Sequence, residues 1–441
     1  MSTNGSTDSQ GVLVRNMGLF YLVVYGVGDM VGAGIYGTIG VAAGALGNAV
    51  WISFLISMFA ALLTGLSYAS LASRHPKAGG ASYITQRAYR KSFLSYVVGL
   101  AVAFSGLTSM AAGANVFSLT LRGFFPELPF NGIIITFLLF LALVNWIGIR
   151  ESMMMNLVFT FVEVAGLVFV IVVGAHFWGD VNYFQVPAGQ LLGPTLLLSG
   201  AVLTFYAFIG FEDMLNVAEE VKNPEKNMPL GIMIAIGITT VIYILVSITA
   251  VSVVDSQTLA NPANGAPLAQ ITAVAAPWLP GWVFGAITLF AVGNTALLNY
   301  IMGSRLLYGM SRQGLLPAIL GRVHKTRHTP HVAIALLGFI VLILAFSGNI
   351  AQLASATSLL LLGCFCVVNS ALFILQKRKG EPKGRFEIPS FIPILGLLVC
   401  ASLIVARLTA KDADLRAPLI ACVLVGIISA LYIFLKPKSA E

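Results

Sequence analysis

The chain is short of charge. Asp, Glu, Lys and Arg make up 10% of its 441 residues, against about 25% in soluble domains. A soluble chain of this length needs far more polar surface to cover its core, which excludes a water-soluble enzyme or regulator. Cysteine is scarce as well. Cys364, Cys366, Cys400 and Cys422 all fall in apolar blocks with no zinc-ligand spacing, and are read as buried thiols. No HExxH, GxSxG or Walker pattern occurs, and Gly26-x-Gly28 belongs to no strand–turn–helix unit, so hydrolase and nucleotide-binding readings lack their residues. Loops of domain size are missing too, since the longest, about residues 254–278, is too short to fold alone. No cleavable signal peptide is expected, because MSTNGSTDSQ (1–10) is polar and runs directly into a long apolar segment.

What the chain has in quantity is apolar sequence, 58% of the whole. It comes in blocks of about 20 residues or more, the length that crosses a bilayer as a helix. Twelve segments are predicted, at roughly 16–44, 48–73, 81–120, 130–149, 152–178, 188–222, 227–253, 279–310, 330–348, 351–376, 389–408 and 415–436. The fold class is therefore all-α, a polytopic membrane protein. If alternate connections lie on opposite sides, one side collects 21 of the 25 basic residues, leaving Arg122, Arg407, Lys411 and Arg416 on the other. The positive-inside rule then places both termini in the cytoplasm, with the plasma membrane as the expected location. The excess positive charge is a topology signal rather than a nucleic-acid surface.

Four acids remain at membrane depth: Asp29, Glu163, Glu212 and Asp213. Burying an Asp at a helix centre costs about 2.5–3.5 kcal/mol on insertion scales, so each is a functional candidate. Asp29 sits in GVGDMVGAGIYGTIG (26–40), which carries six glycines. Gly32, Ala33 and Gly34 let the chain leave helical dihedrals there. Irregular backbone at this depth is tolerated only where protein buries it or it lines a cavity. A break creates one half-helix with free amides, suited to a carboxylate, and another with free carbonyls, suited to an ammonium. An amino acid carries both groups. Small residues also serve close helix packing, and these glycines alone do not decide between the two roles.

A second interruption lies in FYAFIGFEDMLNVAEEVKNPEKNMP (205–229), where Gly210 is flanked by aromatics and followed by Glu212 and Asp213. Paired interrupted helices at matching places in two halves mark a transporter's binding site. The breaks fall in segments one and six, so each repeat has five segments and the second is inverted. The predicted organisation is a tail at 1–15, a first repeat at 16–178, a second at 188–376 and two further helices at 389–436.

GDMVGAGIY (28–36) and the 205–229 block resemble the first- and sixth-helix signatures of the amino acid-polyamine-organocation permeases, and HPKAGGASY (75–83), NWIGIRESMMMN (145–156) and SRLLYGMSRQGLLP (304–317) resemble three more family blocks in order. The resemblance covers about residues 16–376 and implies a LeuT-type 5+5 inverted-repeat fold carrying out secondary transport of amino acids or related amines. Carried over, it places the substrate carboxylate on the amides of Gly32, Ala33 and Gly34, and the amino group on carbonyls near Met30, Tyr206 and Ile209. It implies that Tyr206 closes over the substrate, helped by Phe208 or Phe211, and that Gly210 is the hinge.

In relatives thought to be proton-coupled, the position of Glu163 often resembles a lysine, so glutamate here is a departure that keeps a titratable group. Three roles fit it: proton carrier, ligand of a cation held also by Thr295, or structural hydrogen-bonder. Asp29 fits three as well: partner of the substrate amino group or a cationic side chain, second proton site, or packing carboxyl. Glu212 resembles the family's gate acid, and Asp213 lies close enough to a vestibule to be solvated. The expected function is proton-coupled amino-acid uptake by alternating access, with exchange of cationic amino acids or amines as the alternative. No organic cofactor and no structural metal are expected. The partners are a small amino acid or amine and the bilayer, not nucleic acid, and the last two helices leave both monomer and homodimer open.

Overall fold

In a computed structural model of the chain, the described residues are 15–77, 79–261, 266–347, 350–409, 416–435 and 437. All of the predicted tail except Arg15 lies outside the described residues, as do Lys411, Lys436 and Lys438 from the topology count. The described residues are helical, with one isolated bridge between Met17 and Val221 and no strand. Nine helical stretches among them are long and apolar enough to cross a membrane, and three shorter apolar helices fall at the remaining predicted segments.

The first segment is two helices, α1 (Leu19–Val31) and α2 (Ala33–Leu46), parted by Gly32 at φ −45° and ψ −128°. The next, α3 (Val50–Arg74), is followed by α4 (Gly80–Tyr89) and α5 (Ser92–Phe124). The predicted single segment 81–120 is thus two elements. Arg90 turns the chain at φ 53° between them, because α4 carries Gln86 and Arg87 and suits the membrane surface rather than its interior. Gly148 separates α6 (Phe130–Ile147) from α7 (Ile149–Gly174).

The sixth predicted segment is interrupted. Its helix, α8 (Pro194–Phe205), starts with proline at the first turn, where the missing amide costs nothing. It gives way to 3₁₀ turns at Tyr206–Phe208 and Phe211–Glu220, on either side of Gly210 at φ 133°. The chain continues through α9 (Pro224–Val253), short α10 (Ser256–Ala260), α11 (Pro267–Ala275) and α12 (Trp282–Arg312). It ends with α13 (His331–Ser347), α14 (Ile350–Lys377), α15 (Phe391–Thr409) and α16 (Arg416–Leu435). α3 lies along α9 and α5 along α12, while α1 is held among α7, α9 and α12. One face of α7, with Met154, Val158, Phe161, Val168 and Val172, is exposed and apolar, as a lipid-facing helix requires. Of the four thiols, Cys364 and Cys400 are buried as predicted, Cys366 is partly so, and Cys422 is exposed on α16. An apolar helix facing lipid shows its cysteine outward at no cost in hydration.

The loop between α14 and α15 is tied down by ions. Glu381 accepts from Arg87 Nε at 2.9 Å and pairs with His75 Nε2 at 2.9 Å. Glu387 pairs with Arg74 and also accepts from the Gly384 amide at 2.7 Å. Burial holds the His75 imidazole below its ordinary 6.5, against the opposing pull of Glu381. Burial pushes Glu381 up, but the Arg87 hydrogen bond and charge, with His75, outweigh it and leave the carboxyl below its ordinary 4.5. Both depressed values act in one direction. The His75 contribution is present above pH 6.5 and lost as pH falls toward its folded value; the Glu381 contribution is present above 4.5 and lost likewise. Thermal stability in detergent is therefore expected to decline on acidification from pH 7, and Glu381→Gln to steepen the decline through pH 6.5, by removing the charge that holds the His75 value up, while abolishing the part below pH 4.5. A melting curve with the same pH slope in both proteins would rule this out.

Candidate functional site

The two interruptions touch each other. Gly34 lies against the Ala207 backbone, where a Cβ would sit 2.9 Å from the Ala207 Cα. Gly210 lies against the end of α1, where a Cβ would sit 2.9 Å from both the Asp29 carbonyl carbon and the Met30 amide nitrogen. Positive φ and this close approach both require glycine at 210. Tyr243 of α9 ties the pair together, its hydroxyl reaching the Met30 carbonyl and, at 2.8 Å, the Ala207 carbonyl. A hydroxyl has one proton, so it serves one of these carbonyls at a time.

The first break is narrower than predicted. Only Gly32 leaves the helix, and its amide still donates to the Gly28 carbonyl at 3.2 Å. α2 begins at Ala33, so Ala33 and Gly34 carry the first-turn amides, which a helix leaves without internal acceptors. Thr295 of α12 covers the break, its hydroxyl filling the space that a Cβ on Gly32 would need.

A cavity opens where the breaks meet. It is lined by Asp29, Met30, Gly34, Tyr206, Ile209, Gly210, Glu212 and Asp213 from the broken spans, by Ser105 and Ser109 of α5, by Thr295 and Asn299 of α12, and by Leu361. Its empty volume is about 450 Å³, including where it opens outward. Three carboxyls face it, and among the described residues no Lys, Arg or His does. Glu212 Oε2 accepts from the Gly210 amide at 2.8 Å, so this acid caps the broken backbone from inside. Asp29 and Asp213 both line this cavity, and Asp29 Oδ2 is buried with no hydrogen-bond partner. Asp213 is 5% exposed and buried against the break rather than out in a solvated vestibule. Tyr206 and Ser109 both line the cavity.

Other predicted residues lie apart from the cavity. Phe208 is turned onto Phe54 and Tyr243, and Phe211 onto Tyr68 and Phe365. Both rings are buried and anchor the 3₁₀ turns. Glu163 is buried on α7, behind α1, and neither of its carboxyl oxygens has a hydrogen-bond partner. Beside it runs a polar chain in which Asn294 donates to Thr160 Oγ1 at 2.9 Å and Thr160 donates to Asn156 Oδ1 at 3.1 Å. Gly28 makes room for this chain, since a Cβ there would overlap Thr160 Oγ1 and Asn294 Nδ2. No group of three or more His, Cys, Asp and Glu side chains among the described residues is placed to hold a metal ion.

The sequence reading missed several members. Ser105 and Ser109 stand four apart in an apolar helix, a one-face polar pair that was legible. Tyr243 sits in an ordinary apolar run and offered no signal. Arg305 and Glu220 lie near segment ends, where a charged residue reads as solvated, yet both side chains are buried. Arg305 Nε donates to Glu220 Oε2 at 3.1 Å, and its NH1 donates to Asn145 Oδ1 at 2.7 Å. Glu220 also accepts, through its backbone carbonyl, from the Met17 amide at 2.9 Å, and Lys222 donates to the Met17 carbonyl at 2.8 Å. This knot joins the entrance of α1, the end of the second broken span, α6 and α12.

Comparison with known proteins adds three kinds of relative. Residues 17–430 match the family described as Amino acid permease. The branched-chain amino acid permease BcaP of Bacillus subtilis (strain 168) is 27% identical over 424 residues, covering 90% of this chain and 89% of that protein. The methylthioribose transporter of the same organism is 30% identical over 423 residues, covering 90% and 89%. The vacuolar cationic amino acid transporter 4 of Arabidopsis thaliana is 31% identical over 404 residues, covering 86% of this chain and 65% of that protein.

Proposed function

Because the chain belongs to the amino acid permease family, we propose that it takes up amino acids across the plasma membrane by alternating access, coupled to protons and with both termini in the cytoplasm. The observation that carries this reading is the meeting of two broken spans around one cavity. The first-turn amides of α2 suit a substrate carboxylate, and the Met30 carbonyl with the cavity acids suits an ammonium. Transport then follows from rocking α1–α2, α3, α8 and α9 against the remaining helices, with repeats at 16–178 and 188–376.

Glu163 is the proposed proton carrier. A carboxyl with no fixed hydrogen-bond partner exchanges a proton without breaking a structural bond, and its place behind α1 lets its charge state bias the position of that helix. Glu163→Gln is expected to reduce gradient-driven accumulation in proteoliposomes at least about tenfold, the scale of a typical coupling energy. Exchange between internal and external substrate should persist. Retained accumulation would remove Glu163 from coupling.

The three cavity acids favour a second reading, a cationic amino acid or amine as substrate. Competition of unlabelled lysine-like, neutral and diamine compounds against labelled uptake separates the two. Preference for neutral side chains would leave Asp29 and Asp213 as proton sites.

A further inference from the structure

We propose that the groove between the foot of α1 and the foot of α7 is a binding site for one anionic phospholipid. It is lined by Asn16, Met17, Tyr21, Ile149, Arg150, Met153 and Met154 and has an empty volume of about 830 Å³, including where it opens outward. It is separate from the substrate cavity and shares no residue with it. Arg150 stands four residues before Met154, at the foot of the exposed apolar face of α7. That spacing puts its guanidinium where hydrocarbon gives way to headgroups.

Arg150 is exposed, and among the described residues it has no ion-pair or hydrogen-bond partner. Its surroundings are net positive. Arg15 precedes Asn16, and the exposed Lys222 is tied through its amide to Met17, against the nearby acids Glu151 and Glu219, with Glu220 already paired to Arg305. A guanidinium fork and the Asn16 amide suit a phosphodiester, and the three methionines with Tyr21 suit the start of an acyl chain. A phosphate with an attached chain matches both ends of the groove; a free anion matches one. Met17 is also the residue whose backbone bonds to Glu220 and Lys222. A lipid seated here braces the entrance of α1 against the end of the second broken span.

The test is native mass spectrometry of the full chain released from nanodiscs of phosphatidylglycerol and phosphatidylcholine. Wild type is expected to retain one phosphatidylglycerol. Arg150→Gln should retain about five-fold less, the scale of one basic group at an anionic surface, while Arg150→Lys keeps part of it. Met154→Trp, which fills the groove and leaves Arg150 in place, should also lose the lipid. Uptake in pure phosphatidylcholine should be alike in wild type and Arg150→Gln, which shows that the variant folds. Equal retention by wild type and Arg150→Gln overturns the proposal. So does inorganic phosphate reproducing the lipid's stabilising effect in phosphatidylcholine discs. Lipid retained only after deletion of residues 2–10 would mean that the chain's own N-terminus fills the groove, and overturns it as well.

Discussion

Arg305→Ala is expected to cost about 3–5 kcal/mol of stability, the scale for breaking a buried ion pair on one side. The side chains are 0% and 1% exposed, so removing the guanidinium leaves Glu220 at a buried position without its counter-charge. Asn145 Oδ1 loses its donor too. The measurement is the melting midpoint of purified protein in detergent, together with the folded fraction recovered from membranes. The double variant Arg305→Met with Glu220→Met is expected to recover most of the loss, because apolar replacement of a whole buried pair is often neutral. A single variant as stable as wild type would show that water or another cation already compensates Glu220. The same knot holds the Met17 backbone, so Glu220→Gln should loosen the entrance of α1 and raise protease sensitivity near residue 17.

Gly210→Ala is expected to abolish transport, with uptake below about a tenth of wild type. Two costs coincide. A side chain at φ 133° is strained at about 1–3 kcal/mol, and its Cβ would press on the backbone of Asp29 and Met30, which cannot rotate aside. Relief requires the two broken spans to separate, and that dismantles the cavity and the Glu212 cap on the Gly210 amide. Gly237→Ala is the control. Gly237 lies within α9 with nothing within 4 Å of a Cβ, so alanine there should stabilise the helix by up to about 1 kcal/mol and leave uptake intact. If Gly210→Ala and Gly237→Ala transport equally well, the broken spans do not form the site.

The site was legible to the depth at which sequence spacing carries chemistry. Asp29, Glu212, Asp213 and the glycines at 32, 34 and 210 stood out because acids and helix breakers are costly in lipid. Phe208 or Phe211 was expected to help Tyr206 close over the substrate, yet of the three only Tyr206 lines the cavity. Ring direction in a 3₁₀ turn follows the local dihedrals and the neighbours Phe54, Tyr68, Tyr243 and Phe365, none of which is near in sequence. Arg305 was misread for a related reason, since a basic residue near a helix end looks solvated until the helices that cover it are placed.

Composition and periodicity by themselves determined the all-helical membrane class, the positions of the apolar segments and the places where two of them break, because each is a local consequence of what hydrocarbon tolerates. Tertiary structure alone decided which groups meet: Gly34 with Ala207, Gly210 with Asp29 and Met30, Tyr243 with both breaks, and Arg305 with Glu220. Those pairings join residues up to 213 positions apart. They are set by how helices pack, and no window of sequence contains both partners.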